Sequence, residues 1–185
     1  MIPRLYRYIY AYVLFDCVAS LISLLLTLHH LIHFHFFHGF RFFIIQTSID
    51  VRCAHLDSAL SAVGFTTFLH HHNAVESTHF EPPILNLCRV AIVVFTKSYS
   101  ESAWCLHQLQ QIIQCHQTYS RHVLPVYYEI QPSDVRLQKG HFGKAFKATA
   151  EQTFSRQQLD DGMSRWSQAL TKAANFYGWD ESNYG

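Results

Sequence analysis

Histidine is the residue type in this chain best suited to holding a metal, and its 14 copies are unevenly placed. His29 and His33 stand four apart, and His70, His71 and His72 are consecutive, so a metal site can be imagined at either group. A zinc or similar centre needs a matched set of ligands, and no cysteine or carboxylate completes a recognisable spacing around them. The histidines are therefore read as solvated or incidental, and no metal is expected. Five cysteines (Cys17, Cys53, Cys88, Cys105 and Cys115) lie scattered, odd in number and without CxxC spacing. That pattern suits a reducing compartment with buried or free thiols and not a disulfide framework.

The chain that must position such groups has 185 residues, enough for one domain with a core and little else. Nearly half of it is apolar and 15% is charged, which argues against wholesale disorder. The formal net charge is +1 and no basic stripe appears, so nucleic acid is not an implied partner. Residues 1–46 differ sharply from the rest. Tyr8 to Leu28 is almost wholly apolar, broken by Asp16, with Arg4 and Arg7 in front. Three readings stay open for this segment: a membrane span over residues 8–28, a cleaved signal peptide, or a replaced or misassigned terminus. The His-, Phe- and Ile-rich stretch from His29 to Phe43 shows no helical or strand-like alternation.

From His55 onward the pattern becomes orderly. Leu56, Ala59, Leu60 and Val63 form the apolar stripe of a helix, with Gly64 placed as its cap. Thr66 to Leu69 reads as a short strand, His70 to His79 as a loop, and Phe80 to Leu87 as a short segment with Pro82 and Pro83 at its first turn. Val90 to Phe95, VAIVVF, is a continuous β-branched apolar run suited to a central parallel strand. A helix follows from about Ser102, a natural N-cap, with Leu106, Leu109 and Ile113 on one side. Val123 to Tyr128 is the next strand. Two more helical stripes follow, one through Phe142, Ala145, Phe146 and Thr149, the other through Trp166, Ala169, Leu170, Ala173 and Ala174. This alternation argues for an open α/β sheet, in which ligands gather beyond the carboxyl ends of the strands. The loops after Phe95 and Tyr128 are the places to look for chemistry.

Several runs are more specific. Val90 to Leu109, VAIVVFTKSYSESAWCLHQL, and Val123 to Arg136, VLPVYYEIQPSDVR, are joined by GHFGKAF from Gly140 to Phe146 and by the closing GWD. Together with HLDSALSAVGFTTFL from His55 to Leu69, these resemble the ordered motifs of a plant Toll/interleukin-1 receptor (TIR) domain, including its PSDVR loop, over about Asp50 to Gly185. The resemblance implies a flavodoxin-like open parallel sheet with helices on both faces, occupying residues 47–185. It also implies a signalling module of plant innate immunity that associates with other TIR domains or with itself. Many such domains cleave the nicotinamide–ribose bond of NAD, here a substrate and not a resident cofactor. Trp104, Asp50 and Arg52 would then border the substrate. His55 would belong to one association surface, and Gly140, Phe142 and Gly143 to another. The expected compartment is the cytoplasm, with a membrane-anchored form as the alternative.

The chain also departs from that pattern. The catalytic glutamate of the family corresponds here to Gln108. An amide keeps the size of a carboxylate but not its charge, so it cannot stabilise the cation that develops on the ribose as nicotinamide leaves. Glu101 lies earlier and is expected to face elsewhere. The family's first strand and its loop are expected to be absent or degenerate, with FFIIQTS (Phe42 to Ser48) in their place and the apolar run Phe40 to Ile45 open as a substitute strand, and the second helix to be short. The chain ends before the family's last helix. These departures favour an interaction module with impaired catalysis; an NAD-cleaving enzyme and a decayed gene product are the alternatives.

Overall fold

A computed structural model of the protein describes residues 41–46, 57–58, 61–62, 66–71, 88 and 90–180. Within them five parallel strands form one sheet: β1 (Arg41–Gln46), β2 (Thr66–His71), β3 (Val90–Phe95), β4 (His122–Tyr127) and β5 (Trp179–Asp180). Their order across the sheet is β2-β1-β3-β4-β5. The chain steps from β1 outward to β2 and then returns to the other side of β1, so the order reverses between β1 and β3. Ligand sites of open α/β sheets form at such a reversal.

The family's own first-strand motif is replaced, and the apolar run left open as its substitute does form a strand. RFFIIQ pairs with all of β2, from Arg41 opposite Thr66 to Gln46 opposite His71. It also pairs with β3, from Phe42 opposite Val90 to Ile45 opposite Val93. A strand hydrogen-bonded on both sides needs an apolar run of the right length rather than a particular motif, and FFII supplies it. The strand lies before residue 47, inside the segment that the sequence had set apart as divergent. The loop expected from His70 is shortened in the same way: His70 and His71 complete β2 because Ile45 and Gln46 stand opposite them. Asp57, Ser58, Ser61 and Ala62 are helical, as the periodicity predicts. Thr67 Oγ1 donates a hydrogen bond to Asp57 Oδ1, and its hydroxyl lies 3.4 Å from Ser61 Oγ, which ties this helical stretch to β2. The segment from Phe80 to Leu87, with its expected short helix, lies outside the described residues.

β3 carries the centre of the core, with Ala91 through Phe95 all buried. Helix α1 (Ala103–Tyr119) follows, capped by Ser102, whose Oγ accepts the Cys105 N–H at 3.3 Å. Leu106, Leu109 and Ile113, the stripe foreseen from spacing, are all buried. Where a loop was expected at PSDVR, a short helix α2 (Pro132–Leu137) forms. The fixed φ of Pro132 suits the first helical position, where its missing N–H costs nothing, and the extended Gln131 leads into it. Helices α3 (Gly140–Thr153) and α4 (Leu159–Ala173) complete the layer; α4 packs against α1, α2 and α3. Trp166 on α4 is fully buried among Phe146, Phe154 and His107. Among the described residues no helix is long and apolar enough to cross a membrane, and residues 8–28 lie outside them.

Candidate functional site

The segment leaving β3 sets the position of α1. Tyr99 donates its N–H to the Thr96 carbonyl at 3.1 Å and Glu101 donates to Ser98 at 3.0 Å, closing a 3-10 turn over Tyr99–Glu101. The Tyr99 ring is buried 4.7 Å from that of Phe95, and Phe95 stacks in turn on Tyr127 at 5.4 Å. From there the Tyr99 hydroxyl donates to the Cys105 carbonyl at 3.3 Å, in the first turn of α1. Burial, and then the neighbouring Cys105, raise Tyr99 well above its ordinary pKa, so the hydroxyl stays protonated and able to donate. Burial likewise pushes the Cys105 thiol up to about 12, against the lowering effect of Ser102, which makes it an inert packing group.

On α1, Trp104, Gln108 and Gln111 recur at i, i+4 and i+7 and share one stripe of the helix. Trp104 is half-buried and packs against the core cluster. Gln108 is only 4% exposed, and its Oε1 has no hydrogen-bond partner among the described residues. The half-buried Gln111 presents an Oε1 in the same condition. Buried carbonyl oxygens left unpaired are uncommon, and one cause is a site built for something else. Helix α1 contacts β1 as well as β4, which places this stripe on the helix that borders the strand-order reversal. Glu101 lies in the 3-10 turn and is exposed, so it does not bring a carboxylate to Gln108's buried position.

The loops beyond β3 and β4 do enclose space. A cleft of about 250 Å³ is lined by Lys97, Glu129, Gln131, Asp134, Lys139 and His141, among others. Lys97 and Glu129 face each other across it at 3.5 Å, both largely exposed, so their attraction is weak. Neither Trp104 nor Gln108 lines this cleft. The loops after Phe95 and Tyr128, where chemistry was expected, thus share one cleft, and the stripe of Trp104 and Gln108 is not part of its lining.

The second expected surface is the corner between α2 and α3. Gln138 ends α2 in the left-handed region, at φ 45°, and its Nε2 donates to the carbonyls of Val135 and Arg136 at 2.7 and 2.9 Å. Its Oε1 accepts from Ser167 at 2.7 Å, tying the corner to α4. Gly140 stands at φ +59° and is exposed, with open space where a Cβ would sit. Gly143 is different: a Cβ there would lie 1.9 Å from the Gln138 carbonyl oxygen, a backbone atom that cannot swing away. Phe142 is 3% exposed, and its carbonyl accepts a 2.9 Å hydrogen bond from the buried Ser100 hydroxyl. Phe142 and Gly143 thus build the corner, and Gly140 faces solvent. Gly143→Ala is expected to cost about 1–3 kcal/mol through this overlap. A thermal melt checks it: an unchanged midpoint would show that the corner opens without penalty.

Asp50, Arg52 and His55, the other expected site residues, lie outside the described residues, as do His29, His33 and His72. Gln111, Gln138 and Ser100 were not singled out from sequence. Gln111 carried a usable signal, since it stands three residues from Gln108 on a helix already foreseen. Gln138 and Ser100 carried none, because their partners are 29 and 42 residues away. Among the described residues no three His, Cys, Asp or Glu side chains gather as metal ligands would.

Known proteins resemble the chain in both sequence and structure. A family model described as "TIR domain" matches residues 40–185, starting just before β1. Disease resistance protein RPP5 of Arabidopsis thaliana is 38% identical over 143 residues, 74% of this chain and 10% of that protein. Disease resistance protein TAO1 of the same plant is 35% identical over 73% of the chain and 11% of its own length. Disease resistance protein RUN1 of Vitis rotundifolia is 37% identical over 68% of the chain and 9% of its own. The chain thus spans about a tenth of the length of these curated relatives. Among solved structures, the TIR domains of the activated Roq1 resistosome, which directly recognises the pathogen effector XopQ, superpose with a TM-score of 0.64. The identity there is 31%, over 78% of this chain and 94% of that one.

Proposed function

The chain belongs to the TIR domain family, and from that membership we propose that it is a signalling module of plant innate immunity that acts by associating with other TIR domains and cleaves NAD poorly or not at all. The observation that carries this reading is Gln108. The side chain is 4% exposed on the helix bordering the strand-order reversal, and its Oε1 is unpaired among the described residues. A carboxylate at such a place would meet a ribose cation with full charge in a water-poor setting; an amide offers a dipole. The fold around it supports binding without chemistry, because α1, α3 and α4 form a packed layer with glutamine at position 108. The α2–α3 corner, with exposed Gly140 and Leu137, is the association surface that this reading uses.

Two measurements on the full chain test the proposal. The first is nicotinamide release from NAD, expected at background. The second is co-precipitation with the TIR domain of RPP5, expected to succeed and to weaken when Gly140 is changed to Arg. Release well above background by the natural chain would establish the enzyme reading instead. Failure to bind, with a cooperative melt intact, would overturn the association reading.

A further inference from the structure

Two of the three described cysteines border one small void, at a place the proposed function does not use. Cys88 and Cys115 are distant in sequence yet line one void of about 10 Å³, whose other walls are Ala91, Ile112, Arg121 and Val123. Ala91 and Val123 stand opposite each other on β3 and β4, so the void lies between the sheet and the later turns of α1. That volume is at the lower limit for a single water molecule, and both sulfur-bearing side chains border it. Access is unequal: Cys88 is buried, while Cys115 is half-exposed and open to a small reagent from solvent. Cys105, fully buried on the same helix, does not line the void.

We propose that Cys88 and Cys115 are a redox modification site, closing to a reversible disulfide when the chain meets a peroxide. Cys115, as thiolate, attacks one oxygen of hydrogen peroxide. The O–O bond breaks, the departing hydroxide takes up the thiol's proton as water, and Cys115 becomes a sulfenic acid. The Cys88 sulfur then attacks the Cys115 sulfur. The S–S bond forms, the S–O bond breaks, and the hydroxyl leaves with the Cys88 proton as a second water. Two thiols lose two electrons together, and the peroxide is reduced to two waters. Burial raises the Cys115 thiol above its ordinary pKa and the Arg121 guanidinium opposes that shift, so the reaction is slow at neutral pH and quickens as pH rises. Among the described residues, the titratable groups bordering the void are Cys88, Cys115 and Arg121. The bond would tie the chain entering β3 to the later turns of α1, the helix whose first turns carry Trp104 and Gln108.

The full chain, reduced and then exposed to hydrogen peroxide at pH 8.5, is digested without reduction and mapped by mass spectrometry. The expected product is a Cys88–Cys115 cross-linked peptide, two mass units below the summed thiol peptides, lost on treatment with dithiothreitol and missing from a Cys115→Ser variant. Closing a loop of this length should also raise the melting midpoint of the oxidised protein by roughly 5 °C over the reduced form. Sulfinic acid at Cys115 with Cys88 still a thiol would overturn the proposal. So would disulfides that join only other cysteine pairs. The outcome does not depend on NAD cleavage or on TIR association.

Discussion

Changing one atom type at position 108, Gln108→Glu, is expected to raise nicotinamide release from NAD by the full chain about a hundredfold or more. The amide and the carboxylate are nearly the same size, so the buried position accepts either without a new cavity or overlap. What changes is charge. As nicotinamide departs, positive charge develops on the ribose, and a fixed carboxylate in a water-poor setting lowers that barrier by an amount an amide dipole cannot match. A preorganised group of this kind is worth about 3–4 kcal/mol, a factor of about 100–1,000 in rate. The gain should come with some loss of stability, since a carboxylate is costlier to bury than an amide when no cation pairs with it. Nicotinamide release beside a thermal melt separates the two effects. A variant that melts cooperatively but stays at background would show that the pocket lacks more than the glutamate, with the residues before α1 as the next place to look.

The second large effect is structural. Trp166→Ala is expected to cost about 3–5 kcal/mol, the range for emptying a fully buried aromatic site. Trp166 has no exposed surface, and its ring lies 4.6 Å from Phe154, 4.9 Å from His107 and 6.3 Å from Phe146. Those contacts join α1, α3 and α4 at one point, and the indole N–H donates to His107 Nδ1 at 3.4 Å. The layer cannot collapse onto the space. Gly162, one turn earlier on α4, already receives the Phe154 ring so closely that a Cβ there would lie 2.4 Å from it. Single domains hold about 5–15 kcal/mol in total, so this one truncation should lower the melting midpoint by on the order of 10 °C. A fall of less than about 2 °C in a cooperative melt would mean that the aromatic cluster does not hold the three helices together.

Most elements after residue 90, though not the short helix α2, were legible because each depends on a local pattern. VAIVVF is apolar throughout because β3 is a central strand with both faces covered, so that successive residues from Ala91 to Phe95 are all buried. Ser102 caps α1 through a contact within four residues, and the stripe of Leu106, Leu109 and Ile113 follows from helical period alone. The family was legible for the same reason, since its motifs are contiguous runs that stay readable wherever the chain goes. Gln108 stands where the family resemblance puts a catalytic glutamate, an expectation that needs only a contiguous run of residues. Its burial and its unpaired oxygen are not legible in such a run, because both depend on what packs over it.

The remainder was decided between segments distant in the chain. RFFIIQ became β1 because β2 and β3 flank it, and register with partners 25 and 48 residues away is invisible to any local pattern. The same pairing carried β2 on through His71, past the point where polarity suggested a loop. Tertiary packing also divided the residues expected at the association surface. Gly143 meets the Gln138 carbonyl and Phe142 fills the corner, leaving Gly140 at the surface. Cys88 and Cys115 share a void only because the sheet and the later turns of α1 close on each other. From the sequence alone came the family, most of the elements after residue 90 and the glutamine at position 108, all properties of residues near one another in the chain. The pairing of β1, the burial of Gln108 and the meeting of two thiols came from tertiary structure, because each is a relation between residues brought together only when the core forms.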